Sequence, residues 1–511
     1  MDGSIYLCLL IILTLLHWPS IPVECSPVYK SKTAGNPLLI VSFDGFRWNY
    51  LQRTATPNFD KFLLNGVHAR YGLKNAFITK TFPNHFTLAT GLWEESHGIV
   101  ANTMYDPILN QSFTMRNATA QSDPAWFDAG GEPIWVTNQI QKTDGRSGVM
   151  MWVGGEAPVK WVLPSRHVRY DGSMKNFSKV DTVISWYLDK YPINLGMMYF
   201  DQPDAYGHAF GPDSDEVTRM IGGLDEVVGY LLQRLEEVGL LGKINVILTS
   251  DHGFAETPKK NFINLDDYID PETYEIASTS PVADIWPHEG KLEEIYMKLK
   301  KGSEKSGHFT VFKKEEIPTE FHYTKNQRIP PIVVVAKDTF SFTMAKHPYY
   351  NKGNHGFDNR LQDMHPFFVA MGPAFKSGYA VDTFHSVDVY PLMCHLLGLE
   401  PSANNGTMEV VSQLLMSTQD SSSSVVTFTT YVIGIVVISC VAGLYMVAAC
   451  RYHRYLSLKR KSYKLLAESS LSARPSSSLT STAVVTVGTS SDSRKTNEAK
   501  TPLLADVDGD N

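Results

Sequence analysis

Three apolar runs, each ending on a turn that carries acidic or histidine side chains, constrain the fold of this chain more than any other feature. Leu38–Phe43 leads into Asp44, residues 193–200 release into Asp201-Gln-Pro-Asp204-Ala-Tyr-Gly-His208, and residues 244–250 run into Asp251-His252-Gly253. Short apolar runs bounded by turn residues read as strands covered on both faces by helices. In open α/β sheets ligands bind outside the carboxyl ends of the strands. Carboxylates and imidazoles far apart in sequence are therefore expected to meet at one rim, where a metal site belongs. A single Asp after a strand is ordinarily a turn former or helix cap. Three in one register, with a fourth cluster in Gly353-Asn-His355-Gly-Phe-Asp358, exceed what turns account for. Carboxylate oxygens mixed with imidazole nitrogens, and no thiolates, suit zinc better than calcium or an iron–sulfur cluster.

A strand-like stretch, residues 76–79, precedes Lys80-Thr81-Phe82-Pro83-Asn84-His85. Proline is tolerated in a first helical turn, and Phe86-Thr-Leu-Ala-Thr90-Gly91 predicts a short helix closed by glycine. Thr81 then stands at a helix N-terminus, where unpaired N–H groups favour an anion such as phosphate. A threonine hydroxyl is a weak nucleophile until its proton is removed or polarised, which a divalent metal does. Taken alone, Thr81 reads as a helix cap.

Together these residues resemble the ectonucleotide pyrophosphatase/phosphodiesterase family of the alkaline phosphatase superfamily, most closely its small membrane-anchored members, types 4 and 5. The stretches that carry it are Val41-Ser-Phe-Asp44-Gly-Phe-Arg47, Phe77-Ile-Thr-Lys-Thr81-Phe-Pro-Asn-His85, Ser96-His-Gly-Ile-Val-Ala-Asn102, Pro203-Asp-Ala-Tyr-Gly-His208, Thr249-Ser-Asp-His-Gly253 and Gly353-Asn-His-Gly-Phe-Asp-Asn359. The resemblance runs from about Pro37 to Leu415 and implies an α/β sandwich with a mostly parallel central sheet flanked by helices. It implies two zinc ions, one held by Asp204, His208 and His355, the other by Asp44, Thr81, Asp251 and His252. Thr81 is then the nucleophile, forming a phosphothreonine that water hydrolyses. Asn102 matches an asparagine that donates to a non-bridging oxygen. Lys80 and Phe82 flank the nucleophile as substrate-binding residues, Phe82 stacking on the base and Tyr170 forming the opposing face. Phe82 can also be read as an ordinary core aromatic.

The choice of reaction follows from what is missing. Sulfatases use a Cys/Ser-x-Pro-x-Arg frame, and Thr81-Phe-Pro83-Asn-His85 keeps only its proline. Alkaline phosphatases, by resemblance, use serine and an arginine fork for a dianionic monoester. No arginine lies near Thr81 in sequence, which fits a diester or pyrophosphate monoanion better. The chain departs from the family where Phe254 follows Ser-Asp-His-Gly in place of Met, and where Trp152-Val-Gly-Gly155 replaces Trp-Pro-Gly. Neither change touches a ligand. The expected activity is hydrolysis of nucleotide phosphodiester or pyrophosphate bonds, in dinucleoside polyphosphates, NAD or ATP-like molecules, to a nucleoside 5′-monophosphate. The alternatives are a choline or lipid phosphodiesterase and an adhesion or signalling ectodomain with a structural metal site.

The ends of the chain point to a membrane. An apolar run from Ile5 to Trp18 before Pro-Ser-Ile-Pro-Val-Glu-Cys25 predicts a signal peptide over 1–25. Residues 26–415 are the expected catalytic domain, with an insert at about 259–351 that lines the cleft, followed by a flexible stalk at 416–424. Residues 425–450 carry no charge and are long enough to cross a bilayer, and Arg451, Arg454, Lys459, Arg460, Lys461 and Lys464 follow directly. The positive-inside rule places the C-terminus in the cytosol and the catalytic domain outside, and the chain is expected to be a single-pass type I plasma-membrane protein with an extracellular catalytic domain. Residues 451–511 are a cytoplasmic tail, largely disordered, with Tyr463-Lys-Leu-Leu466 and Pro502-Leu-Leu504 resembling signals for sorting adaptors. Sequons at Asn110, Asn117, Asn176 and Asn405 are candidate glycosylation sites. Of five cysteines only Cys394 lies well inside the ectodomain, so no disulfide framework is expected. A net charge of −7 without a basic, aromatic-rich stripe argues for small nucleotides over DNA or RNA polymers.

Overall fold

The computed structural model describes residues 35–345, 348, 350–416 and 418–471. The signal segment and the tail with Pro502-Leu-Leu504 lie outside the described residues. Continuous apolar runs do become the buried strands. The central sheet contains β1 (Leu38–Phe43), β2 (Val67–Ala69), β3 (Ser147–Met150), β4 (Arg166–Val168), β5 (Leu195–Phe200), β6 (Asn245–Thr249), β7 (Phe368–Met371) and β8 (Tyr379–Val381). Their spatial order is β8-β2-β7-β6-β1-β5-β3-β4. The block from β6 to β4 is parallel throughout, while β7 runs antiparallel to both neighbours. Every residue of β1, β5 and β6 is buried, the mark of strands covered on both sides.

The register sets up the site. Phe43 lies opposite Phe200, and Ser42 opposite Thr249, so the chain leaves all three strands at nearly one level. The Asp44 N–H donates to the Phe200 carbonyl at 2.9 Å, and the Asp204 N–H donates to the Asp44 carbonyl at 3.0 Å.

Helices α1 (Pro57–Asn65), α2 (Thr81–Thr90), α3 (Asn176–Tyr187), α4 (Asp204–Phe210), α5 (Asp215–Glu237), α6 (Leu292–Ser306) and α7 (Val389–Leu397) flank this sheet and the insert. The long α5 follows from a capped start and an apolar stripe. Ser214 Oγ accepts the Val217 N–H, and Val217, Ile221, Leu224, Val228, Leu231 and Leu235 recur at helical spacing on the buried face. It packs on α1 and α3, and its buried Asp225 accepts the N–H groups of Asn58 and Phe59, fixing the start of α1.

The insert builds a separate antiparallel sheet, in the order Tyr274–Ile276, Val282–Pro287, Ile332–Ala336, Phe309–Lys313, against which α6 packs. Its own core includes Ile285, Ile295, Leu299, Val311, Val334 and Phe342. Residues 76–79, expected as a strand, are irregular instead. Their backbone is held by side chains: the Ala76 N–H donates to Asn84 Oδ1, Asn84 Nδ2 donates to the Ile78 carbonyl, and His355 Nδ1 meets the Thr79 carbonyl.

The C-terminal unit is described by itself. A helix, α8 (Thr418–Leu471), begins inside the segment expected as a stalk. Within it, Gly434–Leu466 is long and apolar enough to cross a membrane. Tyr463-Lys-Leu-Leu466 falls on this helix.

Candidate metal centre and active site

The strand ends deliver the residues that the sequence singled out. Asp44 follows β1, Asp204 opens α4 with His208 one turn on, and Asp251 and His252 follow β6. His355 leaves a short antiparallel pair between Ala255–Glu256 and Gly353–Asn354. Two triplets have ligand atoms within 4.8 Å of one another: Asp44, Asp251 and His252, and Asp204, His252 and His355. His208 Nε2 lies 3.5 Å from Asp204 Oδ1, the same distance as His355 Nε2. His252 Nε2 is 3.3 Å from Asp44 Oδ1 and 3.1 Å from Asp251 Oδ2. Thr81, the first residue of α2, holds its Oγ1 3.4 Å from His252 Nε2.

These donors fit a divalent cation. Asp44 Oδ1, Asp204 Oδ1 and Asp251 Oδ2 are buried without a hydrogen-bond partner, a costly state that a cation relieves. The histidines are oriented to match. His208 Nδ1 meets the Gly353 carbonyl at 3.0 Å, His252 Nδ1 the Gly253 carbonyl at 2.9 Å, and His355 Nδ1 the Thr79 carbonyl at 3.0 Å. A carbonyl only accepts, so Nδ1 of His252 and of His355 carries the hydrogen and their Nε2 presents a lone pair to the carboxylates, while His208 Nδ1 also faces the Asn351 side-chain amide at 2.7 Å. The rings of His252 and His355 stack at 3.5 Å.

His85 shows the contrast. Its Nε2 meets the Ser42 hydroxyl at 2.8 Å, tying α2 to β1, while its Nδ1 meets the Thr81 carbonyl of its own helix at 2.9 Å and lies 3.4 Å from Asp251 Oδ2.

Electrostatics reflect the same crowding. Burial, then the charges of Asp251 and Asp204, push the Asp44 carboxyl well above its ordinary range. Burial likewise raises Asp204. Burial also acts to raise Asp251, but His252, His85 and the Gly45 N–H outweigh it and hold that carboxyl low. Burial, then His252 and His208, drive His355 well below the usual imidazole range, keeping it neutral.

Asn102 Oδ1 accepts the Phe82 N–H at 2.8 Å, which leaves the Asn102 amide as the donor beside Thr81. Phe82, 7% exposed, packs on Phe113 and belongs to the core, yet it also lines a cavity of about 610 Å³ together with Tyr170, Trp152 and Gly154. Tyr170 is half exposed and donates to Asp201 Oδ2 at 2.9 Å. Lys80 is turned toward the insert, donating from Nζ to the Ser280 carbonyl at 2.6 Å. Asn110, Asn117 and Asn405 are exposed and Asn176 is partly so.

Several contributors have no signature in the sequence. Tyr199 donates to Asp44 Oδ2 at 2.5 Å. Phe254 walls the back of the cluster, its ring 4.9 Å from that of His208 and 5.3 Å from that of His355. Arginines also arrive from outside the neighbourhood of Thr81, Arg169 in the cavity with Phe82 and Arg116 in that cavity and in the adjoining one.

The type I phosphodiesterase / nucleotide pyrophosphatase family matches residues 38–358. The chain belongs to this family. It is 42% identical over 395 residues to human ectonucleotide pyrophosphatase/phosphodiesterase family member 5, covering 77% of this chain and 81% of that protein. It is 42% identical over 381 residues to human bis(5′-adenosyl)-triphosphatase ENPP4, covering 74% of this chain and 82% of that one. Among solved structures, murine ectonucleotide pyrophosphatase/phosphodiesterase 5, as an inactive threonine-to-alanine variant in complex with AMP, matches with a TM-score of 0.72. That match has 42% identity and covers 75% of this chain and 100% of the other. The family is one of hydrolases, and the alkaline-phosphatase-like fold expected from the motifs is the fold found.

Proposed function

We propose that this chain is an extracellular two-zinc nucleotide pyrophosphatase/phosphodiesterase, acting on dinucleoside polyphosphates, NAD or ATP-like molecules and releasing a nucleoside 5′-monophosphate. The observation that carries the reading is the convergence of three unpartnered carboxylate oxygens and the Nε2 atoms of His208, His252 and His355 beside the Thr81 hydroxyl. Asp204, His208 and His355 would hold one cation, and Asp44, Thr81, Asp251 and His252 the other. When bound, the pair would supply Lewis-acid polarisation of the phosphate and ease deprotonation of the hydroxyl.

Thr81 Oγ1 attacks phosphorus, its bond to phosphorus forming as the bond to the leaving oxygen breaks. The α2 N-terminus favours the negative charge that gathers there. The Asn102 amide donates to a non-bridging oxygen. Water then cleaves the phosphothreonine, freeing Thr81 and the nucleoside monophosphate. Phe82 and Tyr170, lining one cavity, give the base an aromatic slot, which favours nucleotides over choline or lipid esters. The relative that is inactive without its threonine and binds AMP supports this assignment, and the triphosphatase relative supports phosphoanhydride substrates.

On the same reading the protein is a single-pass type I plasma-membrane protein, anchored through Gly434–Leu466, glycosylated at exposed sequons and met in the cytosol by sorting adaptors. The test is hydrolysis of a nitrophenyl ester of a nucleoside 5′-monophosphate by residues 26–417, with and without chelator, beside Thr81→Ala. Turnover that needs both metal and Thr81 is expected. Absence of turnover from a folded, zinc-loaded fragment would sink the proposal in favour of a binding ectodomain.

A further inference from the structure

The space around Thr81 has two chambers. The aromatic one, about 610 Å³, holds Phe82 and Tyr170. A second, about 800 Å³, is lined by Lys80, Asn102 and hydroxyl side chains that include Thr103, Ser278 and Thr343. Thr81 and Asp204 line both, and so do Met115 and Arg116. A substrate whose phosphorus sits at Thr81 with its base in the aromatic chamber therefore sends its leaving group into the polar one.

Two basic side chains, Lys80 and Arg116, line that polar chamber, and they are in different states. Lys80 is spent on the Ser280 carbonyl, and burial lowers it from its ordinary value to about 8. Arg116 is exposed, and no carboxylate among the described residues pairs with it. Its backbone is nonetheless fixed on both sides. The Met115 N–H donates to the Asn102 carbonyl at 2.9 Å, directly behind the amide that bonds Phe82. On the other side Asn117 Oδ1 accepts the N–H groups of Thr119 and Ala120, capping the short helix Ala118–Gln121. The result is a pinned main chain carrying an uncommitted guanidinium at the boundary of the two chambers.

An uncommitted guanidinium recognises planar sets of anionic oxygens through paired N–H donors. A simple diester offers such oxygens only at the reacting phosphorus, whereas a phosphoanhydride carries more of them in its leaving group. We propose that Arg116 is a specificity residue that pairs with the phosphate of the leaving group, so that this enzyme prefers pyrophosphate-linked nucleotides to plain nucleoside diesters. The inference rests on the reading of the site given under Proposed function.

The test compares kcat/KM of the full-length protein in detergent for diadenosine triphosphate and for a nitrophenyl ester of thymidine 5′-monophosphate. Wild type, Arg116→Ala, Arg116→Lys and Arg116→Glu are measured at low and high salt. Loss of one charge-assisted pair predicts that the anhydride-to-diester ratio falls about tenfold in Arg116→Ala. The fall should be larger in Arg116→Glu, smaller in Arg116→Lys, carried mainly by KM, and reduced by salt. A ratio that stays within about twofold of wild type in both Arg116→Ala and Arg116→Glu overturns the inference alone. A wild-type protein that cleaves neither substrate removes the reading of the site and this inference with it.

Discussion

His252 and His355 hand their Nδ1 hydrogens to the backbone carbonyls of Gly253 and Thr79, and that arrangement turns their Nε2 lone pairs toward the carboxylates. Partners of this kind set the basicity and direction of a ligand as much as the ligand itself does. Tyr199, whose hydroxyl donates to Asp44 Oδ2, is such a partner, and Tyr199→Phe should weaken metal affinity by roughly 10–100-fold, read by competition with a chelator. Thr81→Ala should abolish turnover while zinc content by mass spectrometry stays near wild type; retained activity would remove Thr81 as nucleophile. Phe82→Ala should raise KM for nucleotides more than for a small aryl phosphodiester, and equal effects would argue against stacking. The groups that could hold a metal were legible because Asp and His directly after apolar runs are unusual together. Tyr199 was not, because it acts across the fold on a residue far away in sequence and nothing local to it announces Asp44, and Phe254 stood out only as a departure from the family.

Strand ends and the glycines between them bring these elements together. Gly45 has φ +70°, and a Cβ there would stand 3.1 Å from Asp204 Cα and from the Phe254 ring. Its N–H donates to Asp251 Oδ1. The loops after β1, β5 and β6 therefore meet at a position where a side chain is both strained and crowded.

The insert contributes a titrating pair. Burial raises Asp284 from 3.8 to about 7, with Lys80 opposing, and lowers Lys80 to about 8, with Asp284 opposing. Between the unfolded and folded values of Asp284 the native state keeps a proton that the unfolded chain releases. Stability therefore falls as pH rises from about 4 to about 7. Above about pH 8 the unfolded chain keeps the Lys80 proton that the native state loses, so this residue makes stability rise with pH toward about 10.5. Asp284→Asn should flatten the acid-side slope relative to wild type, measured as urea midpoints of the metal-loaded protein across that range; an unchanged slope would contradict the assignment. At this scale the sequence read well where burial was uniform, as in β1, and where periodicity was long, as in α5. It misread residues 76–79 because their apolar content serves the core, while Asn84 and the loop after His355 take their hydrogen bonds.

For the whole molecule, the N-terminal unit closes on itself just before the C-terminal helix. Val411 and Leu414 are fully buried, and the Lys376 and Met416 N–H groups bond the Leu414 and Ala374 carbonyls. A fragment ending at residue 417 should therefore melt as one cooperative unit. One ending at residue 405 loses both buried side chains, each worth roughly 2–5 kcal/mol, and should fail to fold, as circular dichroism would show. Cys394, Cys440 and Cys450 are free, so a reducing agent should leave the melting temperature of the soluble fragment where it was. The sheet that makes this unit also spreads its ligands along the chain, Asp44 at the first strand and His355 beyond the insert. Synthesis at about 5–20 residues per second separates them by on the order of tens of seconds. On the proposed reading the site of Asp44, Thr81, Asp251 and His252 is complete in sequence before the insert is made, whereas the site of Asp204, His208 and His355 waits until translation has passed the insert.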